Sequence, residues 1–144
     1  LIAVDSNILV YAHREDAHWH GAAYECLVRL AEGRTAWAIP WPCIHEFLAI
    51  VTHARIYTPP TPLTTAIDQV AAWLESPSLV LLAESDSHWE QLSAMLQTGR
   101  INGPLVHDAR IAALCRQHGV TELWTADRDF GRFPDIKARN PLVA

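Results

Sequence analysis

The chain has 144 residues, half of them apolar, with 16 acidic against 11 basic side chains and a formal charge of −5. That length fits a single domain over residues 1–144, able to bury roughly 70% of its unfolded surface without staples. No apolar run approaches the ~18 residues of a membrane span, and three scattered cysteines (Cys26, Cys43, Cys115) complete neither a disulfide framework nor a CxxC knuckle. In chain order, Ile2, Ala3 and Val4 read as a short buried strand, followed by Asp5-Ser6-Asn7 and a helical turn to Tyr11. Trp19, Ala22, Ala23, Cys26, Leu27 and Leu30 then recur at helical spacing until Gly33. Residues 35–39 are a second predicted strand. Pro42 opens a helix whose buried face is Ile44, Phe47, Leu48 and Val51. Pro59, Pro60 and Pro62 mark a stiff extended connection.

Thr65 with Asp68, and Ser87 with Glu90, read as capping boxes of two further helices, over 67–74 and 89–96. Leu79, Val80, Leu81 and Leu82 form a strand between them. Gly103-Pro104 begins a last helix that Gly119 ends, and strands are predicted over 123–125 and 136–138. Strands alternating with helices imply a parallel sheet covered on both faces, an α/β three-layer sandwich with a mostly parallel sheet. The three cysteines are predicted to be buried small apolar residues. The six tryptophans are predicted to lie mainly in the core, with Trp41 open to stacking on an unpaired base as well. The chain opens on Leu1, from which a residue or two is expected to precede it, and a cytoplasmic location is expected.

Ligands of such sheets sit beyond the carboxyl ends of the strands, which draws attention to Asp5 and Asp127, each just past a predicted strand. Asp is also an ordinary turn residue. Glu46 and Asp108 lie on apolar helical stripes, where an unpaired carboxylate is costly. Each is open to a plainer reading: an exposed position, or an ion pair, with Arg55 for Glu46 and with Arg110 or Arg116 for Asp108. One cause covers all four better, a nest of oxygen ligands for a hard divalent cation such as Mg²⁺ or Mn²⁺. The matching chemistry is phosphodiester hydrolysis, in which the metal lowers the pKa of an attacking water and offsets developing charge. Asn7 and Thr125 stand beside the nest as orienting groups. Asp129 is either a further ligand or the partner of Arg128 or Arg132.

These residues resemble the PIN-domain family, in particular the VapC-type toxin ribonucleases of bacterial toxin–antitoxin pairs. The resemblance is carried by Val4-Asp5-Ser6-Asn7, Ile44-His45-Glu46-Phe47, Asp108-Ala109-Arg110-Ile111-Ala112-Ala113-Leu114 and Thr125-Ala126-Asp127-Arg128-Asp129-Phe130, in family order along the whole chain. It implies a single PIN-like nuclease domain and an acidic quartet of Asp5, Glu46, Asp108 and Asp127, with Asp129 accessory. It implies a Mg²⁺- or Mn²⁺-dependent endoribonuclease, an RNA substrate, a cognate antitoxin and a homodimer. The helix of Trp19, Ala22, Cys26 and Leu30 and the Pro59-Pro60 region are the expected antitoxin contacts. No basic residue of the site can be assigned from the sequence. Two other functions stay open: a non-catalytic RNA- or partner-binding module on the same fold, and a structure-specific DNA nuclease.

Other chemistries find no support. His45-Glu46 lacks the second His of a zinc protease helix, and His18-x-His20 reads as a solvated pair. No GxxxxGK[ST] or GxGxxG loop is present, so no nucleotide cofactor is expected.

Overall fold

Five strands, each three or four residues long, form one sheet in the computed structural model, which describes residues 1–143. They are β1 (Ile2–Val4), β2 (Trp37–Pro40), β3 (Leu79–Leu82), β4 (Glu122–Trp124) and β5 (Lys137–Arg139). Their order is β3-β2-β1-β4-β5, and every pairing is parallel. The central strands are apolar because helices cover both of their faces. All four residues of β2 are buried, whereas edge strand β5 is exposed throughout, which is why Lys137 and Arg139 are tolerated there.

Helices α1 (Ser6–His13) and α2 (His20–Glu32) connect β1 to β2, and α3 (Trp41–Val51) and α4 (Leu63–Leu74) connect β2 to β3. Helices α5 (His88–Gly99) and α6 (Leu105–Gln117) carry the chain back across the sheet to β4. From β1 to β3 the chain steps one way along the sheet, and from β3 to β4 it returns past β1. Right-handed crossovers therefore place α1–α4 on one face and α5–α6 on the other, the expected three layers. The direction of winding reverses between β1 and β4. Their carboxyl ends lie side by side there, joined by the Asp5 N–H donating to the Trp124 carbonyl at 3.0 Å.

Several predicted boundaries move. Helix α1 continues two residues past Tyr11, and β2 begins at Trp37 because residues 35 and 36 are exposed. Neither capping box forms. Helix α4 starts on Pro62, whose ring fixes a helix-compatible entry, and Thr65 falls inside it. Ser87 does precede α5, but its hydroxyl meets the Ser85 hydroxyl at 3.1 Å instead of the helix. A 3-10 turn at Arg128–Arg132 has no counterpart among the predicted elements. The three cysteines are buried as predicted. Trp37 and Trp73 are core residues, but Trp19, Trp41 and Trp89 are 38%, 36% and 69% exposed, against the core expectation. Among the described residues no helix is long and apolar enough to cross a membrane.

Candidate metal centre

The reversal between β1 and β4 brings four short segments together. Asp5 leaves β1 in extended conformation and caps α1, its Oδ1 accepting from the Ser6 N–H at 2.7 Å. Its Oδ2 accepts from the Thr125 hydroxyl at 2.7 Å, with the Asn7 amide at 3.4 Å and the Cys43 thiol 3.5 Å from Oδ1. Asp5 is thus buried and held from several sides. Thr125, just past β4, is buried too, and its Oγ1 also accepts from the Asp127 N–H at 3.0 Å and the Asn7 amide at 3.2 Å. Asn7 Oδ1 accepts from the Ala126 N–H at 3.0 Å. Asp127 then caps the 3-10 turn by accepting from the Asp129 N–H at 2.8 Å.

Two acids arrive from helices. Glu46, half-buried in α3, accepts from the Ser6 hydroxyl at 2.8 Å. That hydroxyl has one proton, so its 3.4 Å approach to Asp5 is a contact and not a second bond. Asp108 sits in the first turn of α6, where the helix N-terminus favours negative charge. Oxygens of Asp108, Asp127 and Asp129 all lie within 4.8 Å of one another. The convergence is therefore layered. Asp108, Asp127 and Asp129 offer a cluster of oxygens, while Asp5 and Glu46 stand beside it, tied to protein donors.

The charges report the same crowding. Burial and then the neighbouring Asp127, Asp5, Asp129 and Glu46 carboxylates push Asp108 up to about 6. Burial raises Asp5 too, against the donors Thr125, Ser6 and Cys43, with Asp127 adding repulsion. Glu46 is raised by burial and by Asp5, and lowered by Ser6, His107 and Arg110. Cys43 is pushed well up by burial and by the Asp5 and Glu46 charges, so its thiol keeps the proton it donates. The ion pairs left open by the sequence are not made. Arg110 Nε bonds Glu84 at 3.0 Å, and Arg116 meets Asp135 at 3.4 Å. Among the described residues no Lys or Arg pairs with any of the five acids.

One expected result needs no substrate. Asp108 binds its proton more tightly folded, at about 6, than unfolded, near ~3.9. Its favourable contribution is therefore full below about pH 4 and lost as pH rises through 6. Asp108 is only half-buried, so solvent screening trims the loss to roughly 1 kcal/mol. Urea unfolding of metal-free protein at pH 4.5 and pH 7, compared with Asp108→Asn, measures it as a pH-dependent difference between the two proteins.

A cluster of three carboxylates with no basic partner is chemically suited to a hard divalent cation, which takes oxygen ligands and offsets their repulsion. Sequence reasoning passed over Ser6 and Cys43 as donors, and offered Arg110 as a partner of Asp108 where its charge in fact bears on Glu46. Ser6 was legible as the residue after Asp5 at a helix start, and Cys43 as a neighbour of Glu46 on one helical face. The position of Arg110 depends on how α6 meets α3, which no local spacing records.

The PIN domain family model matches residues 2–136. Ribonuclease VapC43 of Mycobacterium tuberculosis is 34% identical over 142 residues, covering 99% of this chain and 96% of that protein. Two solved structures share the fold. VapC20 of M. tuberculosis, described as a Sarcin-Ricin loop cleaving toxin, has a TM-score of 0.68 at 15% identity, covering 97% of this chain and 100% of that one. VapBC2 from Rickettsia felis, bound to a DNA fragment from its promoter, gives 0.67 at 20% identity, covering 96% and 97%.

Proposed function

The chain belongs to the PIN-domain family, and from that premise we propose that it is the toxin of a toxin–antitoxin pair, an endoribonuclease that hydrolyses RNA phosphodiester bonds at the Asp108–Asp127–Asp129 centre. The observation that carries this reading is the unpaired oxygen cluster at the carboxyl edge of the sheet. Asp5, Glu46, Asp108 and Asp127 are the catalytic acids, and Asp129 joins Asp108 and Asp127 in holding the cation. Mg²⁺ or Mn²⁺, when bound, supplies a water of lowered pKa and offsets charge developing on the phosphate.

The chain's own residues do the rest. Thr125 and Asn7 fix Asp5 and the Asp127 segment to each other. Ser6 fixes Glu46 against Asp5, so the acids from β1 and α3 keep one spacing. Asp108, pushed up to about 6 by burial and by its neighbouring carboxylates, is relieved of that repulsion when a cation is held there. Burial around Asp5 excludes water from the rear of the site.

A small antitoxin is the proposed protein partner, and a homodimer the proposed assembly, acting in the cytoplasm. The expected contact on α2 needs one correction: Cys26 is buried, at 3% exposed, so it cannot serve as a contact. The apolar surface on that helix is Tyr24, 55% exposed, beside Val28.

Incubating purified protein with total RNA in EDTA, Mg²⁺ and Mn²⁺ tests the activity. Cleavage only with metal, leaving 5′-phosphate and 3′-hydroxyl ends, is expected. RNA left whole in both metals across a range of protein concentrations would overturn it. DNA cut in preference to RNA would point to the DNA nuclease.

A further inference from the structure

A second cleft shares one wall with the acidic centre. Past the carboxyl ends of β4 and β5 lies a hollow of about 370 Å³ bounded by Asp127, Arg128, Ala138, Arg139, Asn140 and Val143. That volume falls within the ~300–1,000 Å³ of small-ligand sites. Arg128 is exposed and makes no ion pair among the described residues. Arg139, its side chain 60% exposed, reaches Glu122 only at 3.4 Å. An exposed pair of that kind holds weakly, so the guanidinium can turn to a stronger anion. Ala138 and Val143 give the hollow an apolar side and Asn140 an amide. Two planar cations, one amide and an apolar wall suit an anion with an organic body.

We propose that this cleft is the subsite for a nucleotide adjoining the bond that is cut, with Arg128 and Arg139 gripping its phosphate and Ala138 and Val143 meeting its sugar or base. The proposal rests on the ribonuclease reading, because Asp127 belongs to both the acidic centre and this hollow. An RNA strand crossing the acidic centre must leave on one side of Asp127, and on this side it meets arginines. The Asp127 charge alone would repel it, and binding is therefore to be measured with divalent cation present. A larger hollow of about 420 Å³ between α5, α6 and the turn after β4 also holds two arginines, Arg116 and Arg132. It shares no residue with the acidic centre and has Asp135 against Arg116 at 3.4 Å, which makes it a control for charge.

The test is fluorescence anisotropy of a short labelled single-stranded RNA of mixed sequence, in Mg²⁺, on Glu46→Gln protein, which keeps the Asp108–Asp127–Asp129 cluster and leaves the RNA whole. Adding Arg128→Ala and Arg139→Ala should raise Kd about tenfold, as two charge-assisted contacts are lost. It should also reduce the slope of log Kd against log salt by about 0.7, for the one phosphate that both arginines grip. Arg116→Ala with Arg132→Ala removes equal charge and should change Kd by less than about twofold. If the double variant melts early, Arg128→Ala and Arg139→Ala are read singly, each expected to weaken binding about threefold. An unchanged Kd and salt slope, an equal loss in the control pair, or no RNA binding by the Glu46→Gln parent would each overturn the subsite. An acidic peptide that needs these arginines while RNA does not would overturn it as well. Wild-type protein that fails to cleave, while arginine-dependent binding persists, would sink the nuclease reading and with it the cleavage subsite, leaving the cleft as an RNA-binding site alone.

Discussion

Asp108→Asn is expected to lower RNA cleavage by on the order of 10³-fold or more, yet to leave the metal-free protein as stable as wild type or more stable. The two halves follow from one geometry. Asp108 lies among Asp127, Asp5, Asp129 and Glu46, whose charges join burial in holding its carboxyl up at about 6. An amide keeps the shape and removes one repelling charge, so at pH 7 in EDTA the melting temperature should stay level or rise by about 3 °C. Divalent cation should then separate the proteins in the other direction. At a hundredfold excess over Kd, a ligand bound only by the folded state stabilises it by about 2.7 kcal/mol, about 8 °C for a chain of this length. Asp108→Asn, lacking one of the three clustered carboxylates, should show much less of that rise. Thermal melts of both proteins in EDTA and in Mn²⁺ read all of it except cleavage. A structural role for Asp108 gives the opposite pattern: a lower melt in EDTA and an undiminished response to Mn²⁺.

How much of this was legible in the sequence depends on whether the signal was local. Asp5 and Asp127 were found because each follows a strand whose apolar run is plain, and the carboxyl-edge rule needs nothing more. Glu46 and Asp108 were found because a carboxylate on an apolar stripe is conspicuous. The ranking among them was not legible. Asp129 read as an accessory, but its N–H closes a turn on Asp127, and that places its carboxylate with Asp108 and Asp127. The 3-10 turn that does this is five residues long, too short for a hydrophobic period to show. Capping boxes failed for a related reason: a proline entry at Pro62 and a neighbouring Ser85 hydroxyl each won locally over the box. Trp41 and Trp89 misled because a large apolar side chain is weak evidence of burial on a helix whose orientation is not yet known.

Thr125→Val should cost about 3 kcal/mol of stability, because the hydroxyl it removes is committed three times. Thr125 Oγ1 donates to Asp5 at 2.7 Å and accepts from the Asp127 N–H at 3.0 Å and the Asn7 amide at 3.2 Å. Valine fills the same volume, so the loss is polar, not a cavity. The Asp127 N–H loses that acceptor, and Asp5 Oδ2 keeps only the 3.4 Å Asn7 contact. The loss should also depend on pH in a direction that packing cannot imitate. Burial already holds the Asp5 pKa above its ordinary 3.8, and Thr125 is the largest influence pulling it down. Without that donor the folded-state pKa rises further, and ionised Asp5 becomes the costlier form. The folded variant then binds more protons than folded wild type above pH 3.8. The stability gap should therefore be smallest near pH 4 and widen as pH rises through the folded-state pKa of Asp5. Urea unfolding of Thr125→Val and wild type from pH 4 to pH 8 measures the gap, with Thr125→Ser restoring most of it because serine keeps the hydroxyl. Cleavage should fall with the valine and recover with the serine, since Thr125 Oγ1 bonds both the Asp5 carboxylate and the Asp127 N–H. A gap that stays flat with pH would mean that Thr125 matters for packing alone and that Asp5 is held in place by its other donors.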